Sequence, residues 1–294
     1  MKRGKVSIKK SIKRRLAIKL NGNNKPKRIV KERDNIRRGE SIPVKLLNND
    51  FLDIRPTKYS IESYVDLFSQ DSSIIKILFL ISNFERKEML EELLVEIKNV
   101  DIENVIIDYR IYDDVSSYKL NDTNFVINPE HRGKFDYWKT WNDMFGYCKD
   151  NLYDIYVFSP NDFQNYNFNE IIKYGMKLSN HKYIFNTLTD ERTMSWNNIP
   201  PIQITDDVRL QFFSDCGFFT NYETLKSLDF KMTPISTNNP KMSSQVGKQI
   251  TNRINNLKIP TFTTLKSIVS HGKHLSLMNP SEDRTNTLTP LNLI

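Results

Sequence analysis

The run Ile74-Ile75-Lys76-Ile77-Leu78-Phe79-Leu80-Ile81, followed at once by Ser82-Asn83-Phe84-Glu85-Arg86, decides how the chain is read. It is short, apolar and interrupted only by Lys76, the pattern of a strand buried on both faces of a parallel sheet. It is far shorter than the ~20 residues that span a bilayer. Ser82 or Asn83 is the expected cap of a helix whose apolar face is Met89, Leu90, Leu93, Leu94 and Ile97, at helical spacing.

The same alternation continues downstream. Val105 to Ile107 and Phe125 to Ile127 read as strands, and about Lys134 to Cys148 as a helix. Tyr153 to Phe158 reads as a strand, Ile171 to Leu178 as a helix, and Tyr183 to Asn186 as a strand. A helix over Ser243 to Leu257 and a β-rich segment over Thr261 to Val269 follow. Strands alternating with helices predict an α/β fold, a mostly parallel central sheet with helices on both faces. Ligands of such sheets sit at the carboxyl ends of the strands.

Charge divides the chain differently. Residues 1–40 hold 16 Lys and Arg against 3 Asp and Glu, a balance of +13. The remainder holds 43 − 16 = 27 basic and 35 − 3 = 32 acidic residues, so the net +8 belongs to the N-terminal stretch. We therefore expect a basic arm over 1–50 and a globular domain over 51–294. In the arm, Lys9, Lys10, Lys13, Arg14 and Arg15 alternate with Ile8, Ile12 and Leu16, a pattern for binding a polyanion such as DNA, or else a solvated tail. Asn21-Gly22-Asn23-Asn24 and Pro26 end any helix there. Two cysteines, Cys148 and Cys216, argue against a disulfide framework and for a reducing cytoplasm. No apolar segment is long enough for a membrane span, and no signal peptide is expected.

Three polar loops follow apolar strands: Ser82-Asn83-Phe84-Glu85-Arg86, Asp113-Asp114-Val115-Ser116-Ser117 and Ser159-Pro160-Asn161-Asp162. Any one of them is an ordinary turn, since Asp and Ser readily bond their own backbone. Their order resembles the GT-A glycosyltransferases, enzymes that move a sugar from a nucleoside diphosphate. A second match is Phe213 to Asn221 running into Tyr222-Glu223-Thr224-Leu225, similar to the family's acceptor-side strand and helix. A third is the interval from Arg253 to His271, like a late helical Arg followed by a metal-binding His.

The resemblance implies a nucleotide pocket lined by Ser82, Asn83 and Arg86, with Asp113 or Asp114 reading the base of a UDP-sugar. Arg132, Gly133 and Lys134 are implied near the diphosphate, and Asp162 with His271 as ligands of Mn2+ or Mg2+. Only one carboxylate stands in the Ser159-Pro160-Asn161-Asp162 cluster. Val246-Gly247 stand where inverting members carry an acidic pair. Asp215 is then the candidate base, or the reaction retains configuration. The segments Ser243 to Gln249 and His271 to Pro280 look like bacteriophage glycosyltransferases that act on hydroxymethylated pyrimidines in DNA. Trp138, Trp141, Tyr137 and Trp196 are candidates for stacking an extruded base, and core packing is the competing role. Two other functions fit the same residues: a glycosyltransferase acting on a cell-wall polymer, glycan or protein, and a non-catalytic nucleotide- or DNA-binding protein.

Overall fold

The computed structural model describes residues 74–189, 202–214, 217–233 and 245–271. The strands are β1 (Ile75–Asn83), β2 (Val105–Asp113), β3 (Phe125–Ile127), β4 (Ile155–Pro160), β5 (Phe163–Gln164) and β6 (Ile184–Asn186). They continue with β7 (Ile202–Gln203), β8 (Val208–Gln211), β9 (Phe218–Thr220), β10 (Thr261–Thr264) and β11 (Ser270–His271). The helices are α1 (Lys87–Lys98), α2 (Gly133–Asp150), α3 (Phe168–Lys177), α4 (Tyr222–Ser227) and α5 (Val246–Asn256).

Nine of the described strands form one sheet in the order β3-β2-β1-β4-β9-β6-β10-β8-β7. Strands β3, β2, β1 and β4 are mutually parallel, as are β6 and β10, whereas β9 and β8 pair antiparallel with their neighbours. Only β9 and β8 run against the common direction, so the expected mostly parallel sheet is present with two reversed strands.

Period two along β1 explains why both faces are covered. Ile77, Phe79 and Ile81 join one core with Leu90, Leu93, Leu94 and Ile97 of α1 and Ile171 and Tyr174 of α3. Leu78 and Leu80 join the opposite core with Trp141, Met144, Phe145 and Cys148 of α2, Leu225 of α4, and Val246, Ile250 and Ile254 of α5. Each large apolar side chain taken fully out of water contributes about 1.5–3 kcal/mol. The centre of the sheet, where these side chains concentrate, therefore dictates the layering.

Two expectations are corrected. Ser82 and Asn83 do not cap α1. Strand β1 runs on to pair Asn83 with Asp113, and the cap is Arg86, in the left-handed conformation at φ 59°. The segment after Thr261 stops being a strand at Thr264. The chain there bends to donate Leu265 N to Asp207 O (3.0 Å) and Ile268 N to Thr187 O (2.8 Å). That bend delivers β11 to β5, where Ser270 pairs with Gln164 and His271 with Phe163. None of the described helices is long and apolar enough to cross a membrane.

Candidate functional site

Register alone brings the three loops together. Asn83 lies opposite Asp113, and Ser82 lies opposite Pro160, so β1, β2 and β4 end at one level. Asn83 is buried there and joins all three loops. Its amide donates to Asp113 Oδ1 (2.5 Å) and Tyr118 Oη (2.9 Å), and its carbonyl accepts from Asn161 Nδ2 (2.6 Å). Asn161 Nδ2 also donates to Glu85 O (3.0 Å), as does Tyr118 Oη (3.1 Å). Burial pushes the Tyr118 hydroxyl up to about 12, against the pull of its hydrogen bond to Asn83. It therefore stays a neutral donor at physiological pH.

The two aspartates of the second loop do different work. Asp113 is fully buried and accepts from Ser116 N (2.8 Å) and Ser116 Oγ (2.5 Å), an Asp turn that closes the loop on itself. Asp114 accepts from Arg132 N (2.7 Å) and Gly133 N (2.8 Å), where its charge meets the positive end of the α2 dipole. His131 Nδ1 lies 3.0 Å from the same carboxylate, and Asn128 Nδ2 donates to it (3.1 Å). Arg132 Nη2 pairs with Asp143 at 2.7 Å, which holds its guanidinium against α2. Lys134 lies in the first turn of α2, and Gly133 takes φ +51°, a conformation other residues adopt only under strain. Ser82 Oγ and Tyr137 Oη are 2.7 Å apart.

Left-handed backbone conformations occur at this rim as they do elsewhere in the described chain, for example at Asn104, Asp229, Phe230 and Lys258. Glu85 (φ 51°), Arg86 (φ 59°) and the β-branched Val115 (φ 59°) all stand in the left-handed region. Such residues persist only where surrounding bonds over-determine them. The bonds are present here: Glu85 N donates to Ser116 Oγ (2.7 Å), and the Glu85 carboxylate accepts from Ser117 N (2.8 Å) and Ser117 Oγ (2.7 Å).

At the third loop, Asp162 and His271 meet. Asp162 Oδ2 is 3.5 Å from His271 Nε2 and 2.6 Å from Arg86 Nη1, with side-chain exposures of 10% for Asp162, 4% for His271 and 14% for Arg86. Phe163 packs edge-on against the imidazole, with centroids 5.7 Å apart. Gly217 makes room for Phe163, since a Cβ added there would come within 2.2 Å of Phe163 Cε2. The segment leading to His271 is pinned to the end of β6. Ser267 Oγ accepts from Thr189 N (2.8 Å) and donates to Thr189 O (2.9 Å). Asn165 Nδ2 then holds Ser270 Oγ (2.6 Å).

One carboxylate oxygen and one imidazole nitrogen at a shared point form a donor pair whose chemistry fits a Mn2+-like ion. No cluster of three or more His, Cys, Asp or Glu side chains suited to a metal occurs among the described residues. Any other ligands would come from bound diphosphate, water or the rest of the chain. Beyond this rim, a buried amide and hydroxyl group lines the ends of β6 and β8. Asn186 Nδ2 donates to Gln211 Oε1 (3.0 Å) and Phe213 O (2.8 Å), while Ser214 Oγ donates to Asn186 Oδ1 (3.0 Å).

Ser82, Asn83, Arg86, Asp113, Asp114, Asp162 and His271 thus lie along one edge of the sheet, with Arg132, Gly133 and Lys134 at the adjoining end of α2. Asp215, Trp196 and the arm residues Lys9, Lys10, Lys13, Arg14 and Arg15 lie outside the described residues. Trp141 is not available for stacking a base. It is 1% exposed and stacks between Phe158 and Phe218 in the core. Sequence reasoning missed Tyr118, which links two loops, and the role of Asn161 as a bridge. It also missed the capping role of Asp114. Asp114 stands 18 residues before Arg132, too far for any local capping signal.

No protein-family profile matches the chain, and no curated protein does. Among solved structures, it is similar to S. aureus TarS, residues 1–349, at 12% identity and a TM-score of 0.44, covering 64% of this chain and 60% of that one. It is also similar to GalNAc-T7 solved with UDP, GalNAc and Mn2+, at 10% identity and a TM-score of 0.45, covering 66% of this chain and 43% of that one. The likeness spans between about two fifths and three fifths of those chains.

Proposed function

We propose that the chain is a GT-A glycosyltransferase that transfers a sugar from a UDP-sugar to a hydroxyl group, assisted by a divalent cation. The observation that carries this reading is the 3.5 Å approach of His271 Nε2 to Asp162 Oδ2 at the carboxyl edge of the sheet. Two side chains far apart in sequence, both nearly buried, meet where ligands of α/β sheets bind.

In this reading Asp162 and His271 would hold Mn2+ or Mg2+. When bound, the ion supplies positive charge to a leaving diphosphate. The chain's own residues prepare the cleft around it. Asn83, Asn161 and Tyr118 lock the loops before substrate arrives, so little reorganisation is needed as charge develops. Ser82, Asn83 and Arg86 line the nucleotide side, with Asp113 and Asp114 shaping the wall that reads the base. Arg132, Gly133 and Lys134 stand on the diphosphate side. Asp215 is the proposed proton acceptor for the incoming hydroxyl, or the transfer retains configuration without one. Its neighbour Ser214 is fixed by a bond from Ser214 N to Thr251 Oγ1 (2.9 Å).

For the acceptor, we propose hydroxymethylated pyrimidine in duplex DNA, a choice that rests on sequence. The +13 balance of residues 1–40 suits phosphate contacts, with Lys9, Lys10, Lys13, Arg14 and Arg15 as the contacts. The test is incubation of the full chain with Mn2+, a panel of labelled UDP-sugars and duplex DNA with or without hydroxymethylated bases, followed by nucleoside mass analysis. A modified nucleoside heavier by one sugar is the expected product. Sugar transfer only to glycans or polymers would reject the DNA acceptor. No transfer or hydrolysis with any donor would reject the enzyme.

A further inference from the structure

Helix α1 grips the segment that follows Asp162 through a single carboxylate. Glu96 Oε1 accepts from Asn165 N (2.9 Å), and Glu96 Oε2 accepts from Tyr166 N (3.2 Å). Asn165 takes φ 55°, in the left-handed region. Successive backbone amides beside a left-handed residue can form a nest for an anion. The anion here is the chain's own Glu96. We propose that Glu96 is a positioning residue: by filling this nest it fixes Asn165, and through Asn165 and Ser270 it holds His271 opposite Asp162. This inference rests on the metal-assisted reading above.

Three observations make the connection. First, Asn165 is bound on both sides. Glu96 holds its amide, and its side chain donates Nδ2 to Ser270 Oγ (2.6 Å), which in turn donates to Gln164 O (3.1 Å). Second, Ser270 directly precedes His271, and β11 consists of these two residues alone. So short a strand has little pairing of its own to hold it. The anchor of Ser267 on Thr189 lies further back along the chain, which leaves Ser270 as the nearer hold on the imidazole. Third, the carboxylate projects from a rigid element. Leu90, Leu93, Leu94 and Ile97 bury α1 against the sheet, and Glu92, one turn before Glu96, accepts from Gln164 Nε2 of the same segment.

The chemistry of the nest requires a carboxylate. It offers two acceptor oxygens to two donors, whereas an amide of the same size offers one oxygen and turns an NH2 group toward the other donor. Glu96→Gln therefore leaves one backbone amide without its partner. Asn165 then loses a bond that holds it in a conformation it adopts only under constraint. Its grip on Ser270 loosens, and the spacing of Asp162 and His271 is no longer fixed. Partners that orient a ligand side chain in this way set metal affinity without touching the ion.

The test is titration of the full chain with Mn2+ in the presence of UDP, following free Mn2+ by electron paramagnetic resonance. Wild type, Glu96→Gln, Asn165→Gly, the double variant, Glu88→Gln and Asp162→Asn are compared, with circular dichroism and melting curves confirming that each is folded. Asn165→Gly keeps the left-handed backbone without strain and removes the link to Ser270. Glu88→Gln takes one charge from elsewhere on α1 and should bind as wild type does. Glu96→Gln and Asn165→Gly should each weaken Mn2+ binding about tenfold. The double variant should be no weaker than the weaker single one, because the two residues act in series. Losses that multiply in the double variant, or an equal loss in Glu88→Gln, would reject the relay. If Glu96→Gln does not fold, Asn165→Gly decides alone: weaker binding supports the relay and wild-type binding rejects it. If Asp162→Asn loses binding but Glu96→Gln binds as wild type does, the positioning role is wrong and the metal reading stands. If Asp162→Asn binds as wild type does, the metal reading itself fails, and the inference with it.

Discussion

The two halves of the sheet solve the same problem in different ways. On one side, β3, β2, β1 and β4 are all parallel, and their carboxyl ends open into long loops that bond mainly to one another. On the other, β9, β6, β10, β8 and β7 are short and partly reversed. Their polar ends are buried inside the sheet's own edge, as in the Asn186, Gln211 and Ser214 group and the Thr189 to Thr263 hydroxyl contact (2.5 Å). The parallel half builds a preformed wall from loop-to-loop bonds. The mixed half builds a rigid platform that carries His271 across to that wall. Asp162 and His271 meet because β11 pairs with β5 at Phe163 and His271.

Disrupting the parallel half should have the larger effect. Asn83→Asp places a second carboxylate where the amide now sits 2.5 Å from Asp113 Oδ1, inside a fully buried network. An unpaired buried charge of this kind costs about 3–5 kcal/mol. Urea unfolding should show that loss at neutral pH; a change below 1 kcal/mol would mean the loops are not held by this residue. The seam between the halves should be less sensitive. Gly217→Ala drives a methyl group to 2.2 Å from the Phe163 ring, and overpacking of this kind costs about 1–3 kcal/mol. Because Phe163 backs His271, the variant should also lose transfer activity beyond what its stability explains. Full activity in a folded variant would detach Phe163 from the site.

The far end of the mixed half should matter least. Asp207 accepts from Tyr174 Oη (2.5 Å) and Thr205 Oγ1 (2.7 Å) and pairs with Lys173 (3.0 Å). Burial works to raise its carboxyl, but these partners hold it well below the usual carboxylate range. A depressed carboxyl contributes stability above its unfolded value of about 3.9, and that contribution disappears as pH falls through the lower folded value. Asp207→Asn should therefore lower Tm at pH 7, by an amount that solvent screening of this half-exposed pair limits to about 1 kcal/mol. The difference from wild type should shrink below about pH 4. A difference that grows on acidification would contradict the sign.

The same contrast governs what could be read from sequence. In the parallel half, β1 is nine residues long and β4 six, both apolar, so their positions and the loops after them were legible. Asp113 and Ser116 also had the spacing of an Asp turn, which is what the structure contains. In the mixed half β7, and at the seam β5 and β11, have two residues each, and so short a strand has no periodicity to detect. The reversal of β9 left no trace either, because Phe218, Phe219 and Thr220 are buried on both faces whichever way the strand runs. Tyr118 was invisible for a third reason. It lies just past the second loop's motif, and only folding sets its hydroxyl against Asn83 and Glu85.

The central claim is that one ion is shared by a residue from each half. Anomalous diffraction at the manganese edge, from crystals of the full chain grown with Mn2+ and UDP, tests it most directly. A single peak in contact with both the Asp162 carboxylate and His271 Nε2 is the predicted result. A peak that touches neither residue, or His271 turned away from an occupied cleft, would contradict it.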